Sequence, residues 1–399
     1  MKILQINTVY PNGSTGKIAK GIHDLCSEQG IEGVTAYRYA ENSEIIKDTR
    51  AVSSYLDCHI HNRLASLTML QGMFSYFKTR IFLKWVDNYN PDIIHLHNIH
   101  GSYINHRMLF NYIKSKNIKT VWTLHDCWAL TGYCPHFDMI GCDRWKTECH
   151  HCPQKKKNQV DFSKTMHSLK KKWFSDIDNM TIVTPSVWLA DLVKQSFLKD
   201  YPVKVINNGI DLFVFKPTDS DFRTRYGIPQ SKNVILGVAF GWGKRKGLDV
   251  FVDLAKRLDG ENYQIVLVGT DPAVDKHLPD NIISIHRTHD QTELAEIYTS
   301  ADLFVNPTRE ENYPTVNMES IACGTPVLTF RTGGSPEIVD ETCGCVVDCD
   351  DVDAMEREIT RICTERAYSK DDCILRARAF DKDERFKEYV ELYESLVHI

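Results

Sequence analysis

The sequence predicts an α/β protein made of two doubly wound halves, each a parallel sheet covered by helices. Three observations carry this. Short apolar runs rich in Val, Ile and Leu alternate with helical patterns from the first residues onward, as in KILQINTV at 2–9, PDIIHLHN at 91–98 and KTVWTLHD at 119–126. After the stretch 201–217 the alternation restarts with NVILGVAF at 233–240, as a second sheet requires. At 399 residues the chain is too long for one ordinary core and fits two domains of about 200 residues each.

Composition narrows the function classes. With 48 Lys and Arg against 53 Asp and Glu the formal charge is −5, so no global basic field calls for nucleic acid. No apolar run reaches the roughly 18 residues of a membrane span, and MKILQINTVYPNG reads as strand and turn rather than signal peptide. A cytoplasmic location is expected. In that compartment the thirteen cysteines are expected as free thiols or metal ligands rather than disulfides.

Taken in order, the first strand at 2–9 is followed by PNGSTGKIAKGIHDLC, a glycine loop entering a helix. Gly13 and Gly16 let backbone N–H groups approach a phosphate or sugar closely, or simply serve the turn. Over 62–86, Leu64, Leu67, Leu70, Phe74, Phe77, Ile81 and Trp85 recur at helical steps, with Arg63, Lys78, Arg80 and Lys84 off the stripe. This reads either as one helix packed on its own domain or as a basic, aromatic helix at a membrane interface. LKKKWF at 169–174 adds weight to the second reading.

The strand at 119–126 ends in His125 and Asp126, at the end of a parallel strand where open α/β sheets bind ligands. His95 and His97 close the preceding strand without an assigned role. Next come Cys134, Cys142, Cys149 and Cys152 within nineteen residues, with gaps of seven, six and two. They form a structural zinc site, for which CHHC offers one chelating turn, a set of reduced packing thiols, or disulfides. MTIVTPSVWLADLVKQS at 180–196 is strand, turn and helix.

In the second half, GWGKRKG at 241–247 joins the first strand to the first helix, and its Lys246 suits a diphosphate as a point charge. ADLFVNP at 301–307 is a buried strand that opens on REENYPTVNMESIACGTPV. A helix of about ten residues is expected from near Pro314, suited to a first turn, to Cys323, with Gly324 and Pro326 as its stop. Its positive end, near Pro314, Thr315 and Val316, with the free N–H groups of the first turn, forms an expected phosphate site. Glu311 precedes that end and Glu319 lies inside the helix, a carboxylate suited to a ribose diol; the alternative is two solvated glutamates. Asp348 and Asp350 spell D-x-D before a late helix and are expected as caps.

The E-x7-E spacing of Glu311 and Glu319, the trailing ESIACGTPV and TGGSPEIV at 332–339 resemble the retaining GT-B glycosyltransferases of family 4. HDCWALTG resembles the segment whose histidine reaches the donor sugar in that family, and the cysteine-rich insert is similar to one in its capsule-type subgroup. The resemblance implies two Rossmann-like domains facing across a cleft, with domains at 1–203 and 204–382 and a helix at 383–399 returning to the first. It also implies transfer of a sugar from a UDP- or GDP-linked donor to an acceptor hydroxyl with retention, in surface polysaccharide synthesis on a lipid-linked acceptor.

Residue by residue, Glu311 and His125 would be catalytic. Gly16, Asp126, Arg245, Lys246, Pro314, Thr315, Val316 and Glu319 would bind the donor, and no metal would be needed for transfer. The family's arginine five or six residues before the lysine is missing, since Phe240 and Gly241 stand there; Arg245 or Lys244 would replace it. Reversible contact with an anionic membrane at the inner face is expected from the basic aromatic helix. Two rivals remain in view: a sugar-nucleotide epimerase on a similar pair of domains, and a four-cysteine zinc binding protein.

Overall fold

The computed structural model describes residues 1–39 and 47–397, and divides into two compact units, Met1–Asn207 with Asp383–Ile399, and Asn208–Lys382. Among the described residues, the first unit is built on seven strands: β1 (Lys2–Ile6), β2 (Glu32–Tyr37), β3 (Thr49–Ala51), β4 (Ile93–Leu96), β5 (Lys119–Thr123), β6 (Met180–Thr184) and β7 (Val203–Val205). They pair in parallel in the order β3-β2-β1-β4-β5-β6-β7. Successive side chains point to opposite faces, so both faces can be buried when both carry apolar residues. Leu4, Ile94 and Trp122 pack on one side, while Ile3, Ile93 and Val121 pack on the other against Phe386, Tyr389 and Tyr393 of the C-terminal helix Lys382–Val397. Each such side chain contributes about 1.5–3 kcal/mol by leaving water.

The second unit repeats the plan with β8 (Asn233–Val238), β9 (Tyr263–Val268), β10 (Ile282–Ile285), β11 (Leu303–Asn306), β12 (Val327–Phe330) and β13 (Gly344–Val347), in the parallel order β10-β9-β8-β11-β12-β13. Each unit is thus a Rossmann-like sheet whose strand order reverses once, between β1 and β4 in the first and between β8 and β11 in the second. Ligands of such sheets bind beyond the carboxyl ends of the strands at that reversal.

Two local expectations are corrected. The single helix expected over 62–86 is two helices, Tyr55–Thr68 and Tyr76–Tyr89. Met69, Gly72 and Ser75 take left-handed backbone in between, and Gly72 lies so close to His106 that a Cβ would sit 1.7 Å from its ring. The caps also differ: Asp351 caps the helix Val352–Glu365, whereas Asp348 pairs with Arg331 and Asp350 with Arg309. Among the described residues no helix is long and apolar enough to cross a membrane.

Candidate active site

In the second unit the loops after β8 and β11 meet. Lys244–Lys246 forms one 3-10 turn, closed by the Lys246 N–H on the Gly243 carbonyl at 3.0 Å. Gly247 then turns left-handed (φ 75°), and a Cβ there would lie 2.4 Å from the Pro307 carbonyl oxygen, so only glycine lets the loops touch. The Lys246 ammonium donates to Glu311 Oε2, with both side chains about one-fifth exposed (19% and 20%). Burial by itself would raise the Glu311 carboxyl. The charge and hydrogen bond of Lys246, the Asn312 N–H and the charge of Arg245 hold it below the usual range. Arg245 is exposed, with Nη1 3.4 Å from the Glu310 carbonyl oxygen, while Lys244 offers Arg309 its carbonyl.

Arg309 is the residue that sequence reasoning missed. Its guanidinium binds both oxygens of Asp249 at 2.8 and 2.9 Å and Asp350 at 2.6 Å, and its own N–H donates to the Arg245 carbonyl at 2.9 Å. The basic turn and the 309–313 loop are thereby tied together. No signal in the sequence links Arg309 to acids 60 residues before it and 41 after it.

The helix after this loop is Thr315–Ala322, with Pro314 at its N-cap, one position before the first turn, and no side-chain cap on its first amides. Glu319 accepts a hydrogen bond from the Tyr298 hydroxyl at 3.3 Å, and burial together with the Glu319 charge pushes that phenol far up. The TGG turn closes over Glu311: the Gly334 N–H donates to the Asn312 carbonyl at 2.7 Å, and a Cβ on Gly333 would lie 1.8 Å from the Glu311 carbonyl oxygen.

In the first unit the ends of β1, β4 and β5 hold a chain of polar side chains. Gln5 Nε2 donates to the Ala19 carbonyl at 3.0 Å, so its Oε1, 2.9 Å from His97 Nε2, accepts a hydrogen bond from that ring's N–H. Burial holds His97 neutral, so His97 Nδ1 is an acceptor, and His125 Nε2 at 3.1 Å is the N–H that donates to it. The network thereby fixes the tautomer of His125, whose ring burial pushes down to about 4 despite Asp126. Asp126 is engaged by His100 Nε2 at 2.9 Å and by the Trp128 N–H at 2.8 Å. Burial would raise that carboxyl, but the charge and hydrogen bond of His100 bring it below its usual value. A cavity of about 10 Å³, room for one water, is lined by His97, His100, His125 and Asp126. Gly16 sits where the Val9–Pro11 backbone crosses the helix start, leaving 3.1 Å between a Cβ and the Pro11 carbonyl carbon.

Among the described residues no three His, Cys, Asp or Glu side chains converge to hold a metal ion, and all thirteen cysteines are free thiols. The four clustered thiols lie near one another: Cys134 and Cys152 share a hydrogen bond, the charges of Cys142 and Cys152 act on Cys149, which also accepts from the Gly132 N–H at 3.2 Å, and Cys142 packs on the core. One expectation on the first unit is corrected: Lys170, Trp173 and Phe174 are not a surface cluster. Lys170 is 0% exposed, with its ammonium donating to the carbonyls of Trp128 and Thr131 at 2.7 and 2.9 Å, and both aromatics are buried.

Comparison with known proteins gives two domain matches: residues 47–213 match the family described as Glycosyltransferase Family 4, and residues 232–365 match Glycosyl transferases group 1. The chain is 24% identical to the putative colanic acid biosynthesis glycosyl transferase WcaC of Escherichia coli K12, over 99% of this chain and 100% of that protein. Among solved structures it resembles sucrose-phosphate synthase of Thermosynechococcus elongatus, with a TM-score of 0.75 at 18% identity over 99% and 98% of the two chains. It also resembles Anabaena HepE, solved with UDP and glucose, with a TM-score of 0.68 at 14% identity over 99% and 100%. These neighbours share the two-sheet GT-B fold.

Proposed function

The chain is a glycosyltransferase of family 4 and group 1 type, and from that premise we propose that it moves a sugar from a nucleoside-diphosphate donor, UDP- or GDP-linked, to an acceptor hydroxyl with retention of anomeric configuration. The observation that carries this reading is the Lys246–Glu311 pair beside an uncapped helix start, at the carboxyl ends of β8 and β11. Negative charge develops on the leaving diphosphate, and catalysis needs cations and N–H dipoles aimed at it. Lys246, Arg245 and the amides of Thr315 and Val316 supply these in this scheme, which assigns no metal. When the diphosphate enters, the Lys246 ammonium turns from Glu311 to the phosphates, and the freed carboxylate holds the sugar. Glu319 binds the ribose diol. His125, its tautomer set by His97 and Gln5, serves the sugar.

The relative named for colanic acid supports a role in surface polysaccharide synthesis, and HepE, solved with UDP and glucose, supports a uridine nucleotide. A lipid-linked saccharide is the proposed acceptor. The test is a thermal-shift screen of nucleoside diphosphates and their sugars, followed by NMR of the product anomer. A ligand at ~100 times its dissociation constant adds about 2.7 kcal/mol to stability. No shift with any nucleotide overturns the donor assignment, and an inverted product overturns retention.

A further inference from the structure

The helices Tyr55–Thr68 and Tyr76–Tyr89 leave an apolar surface uncovered. Leu56, Ile60, Leu64 and Leu67 are exposed at steps of four, four and three, so they share one face of the first helix. The second helix starts close by, since His61 Nδ1 lies 2.8 Å from Ser75 Oγ, and it exposes Phe77 (77%) and Ile81. Val160 extends the surface: its N–H donates to the Leu67 carbonyl at 2.9 Å while its side chain stays exposed. A run of exposed large apolar residues on this scale marks an interaction site rather than scattered surface variation.

Charge at the rim says what covers it. Arg63 on the first helix, Arg80 and Lys84 on the second, and Lys156 and Lys157 just before Val160 are all exposed. The acids of the two helices are already engaged, Asp57 by Ser53 and Ser75 and Asp87 by Lys116. A second copy of this chain would set like charges against each other, which costs affinity. We propose that this face docks on the anionic surface of a lipid bilayer, with the apolar side chains at headgroup depth and the basic rim on the lipid phosphates. The assignment does not rest on the transfer reaction, because docking is measured without donor or acceptor.

The experiment is co-sedimentation of the full chain with vesicles of pure phosphatidylcholine and of phosphatidylcholine with 30% phosphatidylglycerol, at low salt and at high salt. Binding is expected on the anionic vesicles only and is lost at high salt. The variant Arg63→Glu, Arg80→Glu, Lys84→Glu lowers partitioning at least about a hundredfold, and Ile60→Ser with Phe77→Ser lowers it about tenfold or more. All five side chains are exposed, so unchanged melting of both variants shows that the fold is kept. Equal binding to both vesicle types, binding that survives charge reversal, or concentration-dependent dimerisation abolished by Phe77→Ser would each overturn the proposal.

Discussion

Arg309 grips both carboxylate oxygens of Asp249, 60 residues earlier in the chain, at 2.8 and 2.9 Å, and so holds the basic turn against the loop that carries Glu311. Arg309 itself is buried while both acids are half-exposed, so the pairing acts mainly through geometry. Arg309→Lys keeps the charge but loses the planar fork. Nucleotide affinity is expected to fall about tenfold, with melting lowered by about 1–3 kcal/mol. Calorimetric titration and thermal denaturation check this; an unchanged affinity would reduce Arg309 to a purely structural role.

The two glutamates are expected to separate kinetically. Glu319→Ala removes the carboxylate proposed for the ribose and weakens nucleotide binding about tenfold to a hundredfold, the range for charged hydrogen bonds. Glu311→Gln leaves affinity within a few-fold and lowers single-turnover rate instead. Equal losses of nucleotide affinity in both variants would refute the division of labour.

Gln5 tests the tautomer chain. In Gln5→Leu, His97 loses the acceptor that fixes its protonated nitrogen, and His125 loses its defined donor state. Transfer is expected to slow about tenfold or more with nucleotide affinity unchanged, while Gln5→Glu, which keeps an acceptor at that position, restores most of the rate. A rate unaffected by Gln5→Leu would show that His97 merely packs.

Buried histidines set an acid limit on the first unit. Burial lowers His61 to about 4 and His106 to about 3, against about 6.5 in the unfolded chain. The folded state therefore binds fewer protons, and the stability these rings confer is complete above pH 6.5 and lost as pH falls toward 4. Each withdraws on the order of 3 kcal/mol by pH 4. Melting followed by circular dichroism from pH 7.5 to 4.5 should drop steadily below 6.5; a flat profile would contradict neutral burial.

Local rules made much of the fold legible. Strands such as Lys119–Thr123 and Met180–Thr184 announce themselves because continuous Val, Ile and Trp runs suit a sheet buried on both faces. The helix Thr315–Ala322 was bounded by Pro314 and Gly324, whose backbone preferences act within one turn. The single helix over 62–86 failed for the converse reason: the break comes from Gly72 passing against His106, a contact 34 residues distant that no periodicity records.

The sequence by itself determined the two-sheet class, the helix that carries Glu319 and the chemistry available at each loop, because those depend on residues close in the chain. Tertiary structure alone decided the rest. The Lys170 run looks like a solvated charge cluster, yet two carbonyls receive its ammonium inside the core. The pairing of Lys246 with Glu311 spans 65 residues, and that of His97 with His125 spans 28. Such contacts arise only when parallel strands bring their carboxyl ends together, and hydrogen bonding across that edge depends on distances that no spacing in the chain encodes.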